Sequence, residues 1–240
     1  VVRQLREKGL RPVVLSRGYK SKGDAPNDEA QALARSFPDL DLDLRRGRHI
    51  GREDDAVYAF LVDALDHLEP FYRRFGAELV HQSDGYFYLL PSGDRLGRSH
   101  LSAGEMLVGQ GLALLYLDPS TTALGGVVEG ELLLQRLSGL VGTEELVRTL
   151  NPRRRNYDER IAAETVRKRV TTALRELARL GFLDLVDSDR FRLRPALMRF
   201  AESVRALSDP AGALARLVAE GQIVLSEDDL GGQDDEEQEG

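Results

Sequence analysis

Two triplets of cations have the clearest chemical capacity in this chain: Arg153-Arg154-Arg155 and, further along, Arg167-Lys168-Arg169. Guanidinium and ammonium groups clustered at this spacing suit a phosphate backbone, where each contact releases condensed counterions and positions the protein without reading sequence. They lie in a stretch, Arg148 to Arg179, that carries ten bases against four acids. A local surplus of this kind acts within about a Debye length, roughly 8–10 Å at cellular salt. The same residues also fit a solvated helix face paired with the interleaved Asp158, Glu159, Glu164 and Glu176, and the charge pattern leaves both readings open.

No other group of residues has the spacing of a catalytic or metal site. The four histidines, His49, His67, His81 and His100, are scattered, with no H-E-x-x-H pair, and read as surface or hydrogen-bonded side chains. Gly104, Gly109 and Gly111 fall inside a helical pattern without the Lys-Ser/Thr of a phosphate loop, so they read as helix-packing glycines. The acid pairs Asp54/Asp55 and Glu144/Glu145 suit helix N-termini, where the dipole favours negative charge. There is no G-x-S-x-G elbow. The expectation is a protein without catalysis, cofactor or metal.

The chain has 240 residues, 42% of them hydrophobic, and no cysteine. Disulfides, thiolate metal sites and cysteine nucleophiles are therefore excluded, and the apolar fraction is enough for one or two packed domains. No run of membrane-spanning length is free of charge, and charged residues interrupt the first apolar stretch, so no membrane partner and a cytoplasmic location are expected. The net charge of −7 is unevenly placed. Ser226 to Gly240 holds eight acids and no base, so the rest of the chain stands at +1. Val1 to Lys22 has seven bases and one acid. The acidic end reads as a solubilising disordered tail or, more sharply, as a competitor for the basic patch.

Hydrophobic spacing supplies the elements that must position these groups. Val57, Phe60, Leu61, Leu65, Leu68, Phe71, Tyr72 and Phe75 step by three and four, predicting one long helix from Asp54 to Phe75. Glu78–Gln82 and Tyr86–Leu90 flank Ser83-Asp84-Gly85, a hairpin signal. Helices follow over 106–117, begun by Ser102, over 129–140 and over 158–180, the last with Gly181 as its C′ residue. Phe182–Val186 and Arg190–Leu193 read as a second hairpin, and Pro195 opens a helix to Ala206. The repeated order of helices followed by a hairpin predicts a mainly α fold with small β-hairpins (α+β), built as tandem winged-helix domains at 28–100 and 102–207. Residues 1–27 form an N-terminal extension, and 208–240 a C-terminal helix and disordered tail.

Several spaced blocks carry a resemblance. Leu44-Arg45-Arg46-Gly47-Arg48-His49-Ile50-Gly51, then Ala59-Phe60-Leu61, Leu68-Glu69-Pro70-Phe71-Tyr72, Gly85 to Leu89 and Leu114 to Leu117 keep one order. Leu174 to Gly181, Arg192, Arg199-Phe200, Asp209-Pro210 and the acidic tail continue it. From about Asp28 to the C-terminus the chain resembles the MukE family of chromosome partition proteins. That resemblance implies tandem winged-helix domains in a homodimer that binds the kleisin MukF and, through it, the SMC-type ATPase MukB of the MukBEF condensin. It further implies action in chromosome condensation, segregation and the cell cycle at the nucleoid, DNA binding within the assembled complex, and no catalysis by this subunit. A dimeric winged-helix transcriptional regulator is the alternative, and predicts sequence-specific operator binding by the isolated chain.

The first 25 residues depart from this. Val1 to Tyr19, ending Leu15-Ser16-Arg17-Gly18-Tyr19, is similar to the segment after the phosphate loop of the lipid A 4′-kinase LpxK. The loop that would hold the β- and γ-phosphates is absent, so no kinase activity is expected, and the segment reads as an appended remnant or a plain extension.

Overall fold

The protein was analysed as a computed structural model that describes residues 28–93, 95–97, 100–123, 125–150 and 159–220. The N-terminal extension, Arg153, Arg154, Arg155 and the acidic tail lie outside the described residues. The chain divides into two compact units, one of residues up to His100 together with Arg179–Phe182, the other of 101–178 and the residues from Leu183 on.

The first unit runs α1 (Asp28–Arg45), β1 (Ile50–Gly51), a 3-10 turn (Arg52–Asp54), α2 (Asp55–Asp63), α3 (Leu65–Arg74), β2 (Ala77–Gln82) and β3 (Tyr86–Pro91). The single helix expected over 54–75 is divided at Ala64, whose φ of −95° and ψ of 3° leave the helical basin. Pro70, which has no N–H for the Asp66 carbonyl, lies within α3 six residues past this break, and the helix runs on through it. The apolar stripe survives the break. Leu61, Leu68 and Tyr72 are buried, and Val57, Phe60, Leu65, Phe71 and Phe75 pack against them.

The hairpin follows the expected strands, with Gln82 opposite Tyr86 and Ala77 opposite Pro91. Gly85 takes φ +87° in the three-residue loop, a conformation open to glycine at no steric cost. Two-residue β1, too short to show any period, adds to the other edge of β3 and sets the order β1-β3-β2. On the same core, Arg45 Nε donates to both Asp41 oxygens at 2.8 and 2.9 Å. Its guanidinium lies 5.7 Å from the Tyr72 ring centre and 5.1 Å from that of Phe75. The cation thereby satisfies a buried carboxylate and rests on aromatic faces. Burial, reinforced by the Asp41 charge, raises the Tyr72 phenol pKa far above its ordinary value.

The second unit is built around α4 (Ala103–Leu117). Ser102 Oγ accepts from the Glu105 amide at 3.3 Å and Glu105 Oε2 accepts from the Ser102 amide at 2.7 Å, a reciprocal cap. Every residue from Leu107 to Leu115 is buried, so this helix is wrapped on all sides. Around it come α5 (Pro119–Ala123), β4 (Val127–Glu129), α6 (Gly130–Val141), α7 (Thr143–Leu150), α8 (Glu159–Arg179, ending at the unit boundary), β5 (Leu183–Leu185) and β6 (Arg190–Leu193). A 3-10 helix (Pro195–Val204) and α9 (Pro210–Ala219) complete it.

The helix expected over 195–206 is thus 3-10 in kind; its buried pairs Leu197/Phe200 and Ala201/Val204 stand three apart, the spacing that a three-residue turn keeps in line. Glu144 and Glu145 occupy the first turn of α7, as their adjacency suggested. The sheet has the order β4-β6-β5, with Val128 opposite Phe191 and Leu185 opposite Phe191 from the other side. Arg194, 7% exposed, donates to Asp184 through Nε and Nη2 at 2.9 and 2.6 Å, tying the two strands of the hairpin at their open end.

At the other end of that hairpin the Asp187 carboxylate accepts from the Asp189 amide (3.0 Å), the Arg190 amide (2.8 Å) and Arg190 Nε (2.7 Å). Those bonds, the Asp189 amide first, lower its pKa to about 2. Because the folded value lies below the unfolded one, the turn gains stability above about pH 4 and loses it as pH falls toward 2. Titration followed by NMR should show the Asp189 and Arg190 amides shifting together with a midpoint near 2; a midpoint at the ordinary aspartate value contradicts the bonding described.

Candidate nucleic-acid interface

Three of the six predicted phosphate contacts are described, and all three are exposed on α8. Val166 and Val170 are buried at 7% and 3% exposure, so the face carrying Arg167, Lys168 and Arg169 turns outward, as the helical period requires. Arg153, Arg154 and Arg155 precede the described part of that helix and lie outside the described residues.

The exposed cations are not equivalent. Arg167 Nη2 donates to Glu131 Oε2 at 2.9 Å, from α8 to the first turn of α6. Lys168 Nζ lies 2.7 Å from Glu164 Oε1, one turn back on the same helix. The hydrogen bond from Lys168 holds the Glu164 carboxyl below its ordinary pKa. Arg169 makes no ion pair among the described residues: three and four positions away on its helix stand Val166, Thr165, Thr172 and Ala173, none of them acidic. The solvated-face arrangement is therefore present for two cations, with side chains half to three-quarters exposed, where such pairs are worth about 0–1 kcal/mol and yield to a competing anion.

Next to this face a cleft of about 270 Å³ lies between the start of α6, α8 and the β5–β6 hairpin. Leu134, Val170 and Leu174 contribute apolar wall; the charge is balanced, Arg167, Arg175 and Arg190 against Glu131, Asp187 and Asp189. Arg175, not among the six predicted contacts, lines this cleft with Arg167 and Thr171 along the four-residue period of one helix face. Thr171 and Thr172 each donate their hydroxyl to the carbonyl four residues back, at 2.9 Å, so these donors are already engaged. Glu131 carries no sequence signal for its role, since it meets Arg167 only through tertiary packing.

The residues read as non-catalytic take structural places. His49 is buried, its Nδ1 3.0 Å from the Leu180 carbonyl oxygen and its ring 4.4 Å from that of Phe182, all within the first unit. His81 stacks on Phe87 at 4.1 Å and meets the Tyr58 hydroxyl at 2.9 Å; burial and then Arg52 lower its pKa. A Cβ added to Gly109 would overlap the Phe200 ring, and one on Gly111 would come within 2.6 Å of Leu137. Among the described residues no three His, Asp or Glu side chains are grouped to hold a metal, and no helix is long and apolar enough to cross a membrane.

Fold and site together define an α+β protein of two helix-rich units, each with a small antiparallel sheet, displaying a basic helix face on the second. Comparison with known proteins gives the family. The chain belongs to the MukE-like family, which matches residues 25–239. It is 36% identical to the chromosome partition protein MukE of Photorhabdus laumondii over 214 residues, covering 88% of this chain and 92% of that one. It is 38% identical to the chromosome partition protein MukE of Escherichia coli K12 over 205 residues, 84% and 87% of the two chains. The protein of the same name from Yersinia pestis is 37% identical over the same shares.

Proposed function

We propose that this chain is a non-catalytic subunit of a MukBEF-type condensin, acting in chromosome partition by binding the kleisin MukF and, through it, MukB. Membership of the MukE-like family over residues 25–239 carries this reading. The chain works as a homodimer in the cytoplasm, associated with the nucleoid. Each unit is a winged helix: helix, short strand, helices and hairpin come in that order in both, with the short strand on the hairpin's second strand. The domain limits are 28–100 and 102–207.

Co-purification from cells expressing tagged MukF and MukB tests the reading. The chain is expected to elute with both, and elution alone at micromolar concentration would sink it. Sequence-specific operator binding by the isolated chain would favour the regulator instead.

Within the complex, Arg153, Arg154, Arg155, Arg167, Lys168 and Arg169 contact the DNA backbone, with support from the exposure of the described three. Charge reversal at Arg154 and Arg167 together should weaken DNA retention and flatten the salt dependence by about 0.9 for each phosphate no longer neutralised, leaving MukF binding intact. Unchanged retention reduces the face to solvated ion pairs. Deleting residues 226–240 removes eight acids and should tighten DNA binding at low salt, an effect that fades as the Debye length shrinks; no change means that the tail only solubilises.

A further inference from the structure

The pairing on α8 differs in kind between neighbours, and one acid stands apart. Glu164 holds Lys168 along a single helix, a common local pair. Glu131 instead reaches Arg167 from another element, held in the first turn of α6, where the helix dipole favours a carboxylate. With side chains 63% and 51% exposed, this pair meets solvent and any approaching polyanion directly. Its partner cation lines the cleft beside the hairpin, whereas Arg169 is open.

We infer that Glu131 sets the affinity of this face for DNA by competing with phosphate for Arg167; the inference rests on the DNA-backbone reading above. A phosphate that takes Arg167 must displace a carboxylate already 2.9 Å away, and the released Glu131 then stands next to the new anion. The counterions freed by the phosphate contact are partly replaced by those that the released carboxylate gathers. The face therefore binds through exchange, more weakly and with a shallower salt dependence than its count of cations suggests. Loose, exchangeable backbone contacts of this kind let a protein move along a duplex rather than lodge on it.

The test uses the full chain and a labelled duplex of about 40 base pairs, read by fluorescence anisotropy between about 50 and 200 mM salt. Glu131→Gln should tighten binding roughly three- to tenfold at the low end and steepen the salt slope by about 0.9. Glu144→Gln makes the same change in net charge at an exposed acid with no ion pair among the described residues, and should change affinity less than about twofold. Arg167→Gln breaks the same pair from the other side and should weaken binding, which separates release of a cation from loss of a brace between α6 and α8. Equal effects of Glu131→Gln and Glu144→Gln overturn the inference, as do shifts in the same direction for Glu131→Gln and Arg167→Gln. If Arg169→Glu binds as the unaltered chain does, the DNA-backbone reading itself fails and takes this inference with it.

Discussion

Replacing Gly181 by alanine should lower the melting temperature of the chain by about 5–15 °C, from a loss of roughly 2–5 kcal/mol. Two costs add at this residue. Its φ is +80°, a left-handed conformation that side chains other than glycine's rarely adopt. A Cβ there would also overlap the His49 carbonyl oxygen and lie 3.1 Å from the carbonyl carbon, and both are backbone atoms that no rotamer change can move aside. The same backbone is fixed from the other side, since the His49 amide donates to the Leu180 carbonyl at 2.8 Å. Gly139→Ala is the control: that glycine lies in α6 with nothing within 4 Å of an added Cβ. It should be neutral or stabilising by up to about 1 kcal/mol, because alanine is the better helix former. Thermal unfolding followed by circular dichroism distinguishes the two; equal melting temperatures for the two variants contradict the packing described.

Gly109→Val should destabilise the second unit by about 3 kcal/mol through overpacking. The glycine sits in the middle of α4, and the Phe200 ring from the 3-10 helix occupies the space a side chain would need. Phe200 is itself buried, 8% exposed, so its ring has nowhere open to swing. Phe200→Ala alone should cost about 3–5 kcal/mol as a cavity. Combined, the two changes fill each other's defect, and the double variant should be more stable than the sum of the singles by about 0.5–3 kcal/mol. Strict additivity in denaturant unfolding would show that the two residues do not meet.

How much of this was legible in the sequence depended on how local the cause was. The hairpin at Ser83-Asp84-Gly85, the cap at Ser102 and the C′ glycine at Gly181 are set within a few residues, and each is where its signal put it. The glycines of α4 were legible as packing residues because a phosphate loop needs partners that were absent, but not which side chain fills the space. Strands β1 and β4, of two and three residues, carry no period at all and exist because the second strand of each hairpin has a free edge. The break at Ala64 was hidden since the apolar stripe continues through it. On the candidate site, exposure of Arg167, Lys168 and Arg169 followed from the buried valines on either side. Their unequal pairing did not, because Glu131 meets Arg167 across elements and Arg169 is open only by virtue of what its neighbours lack.

The family places most of the chain, and what it leaves to experiment is assembly. Mixing the purified chain with purified MukF and reading the product by native mass tests this most directly. The account predicts a stable complex whose mass includes two copies of this chain, formed at micromolar concentration without DNA or nucleotide. Masses of the two separate proteins alone, under conditions where each is folded, would contradict it.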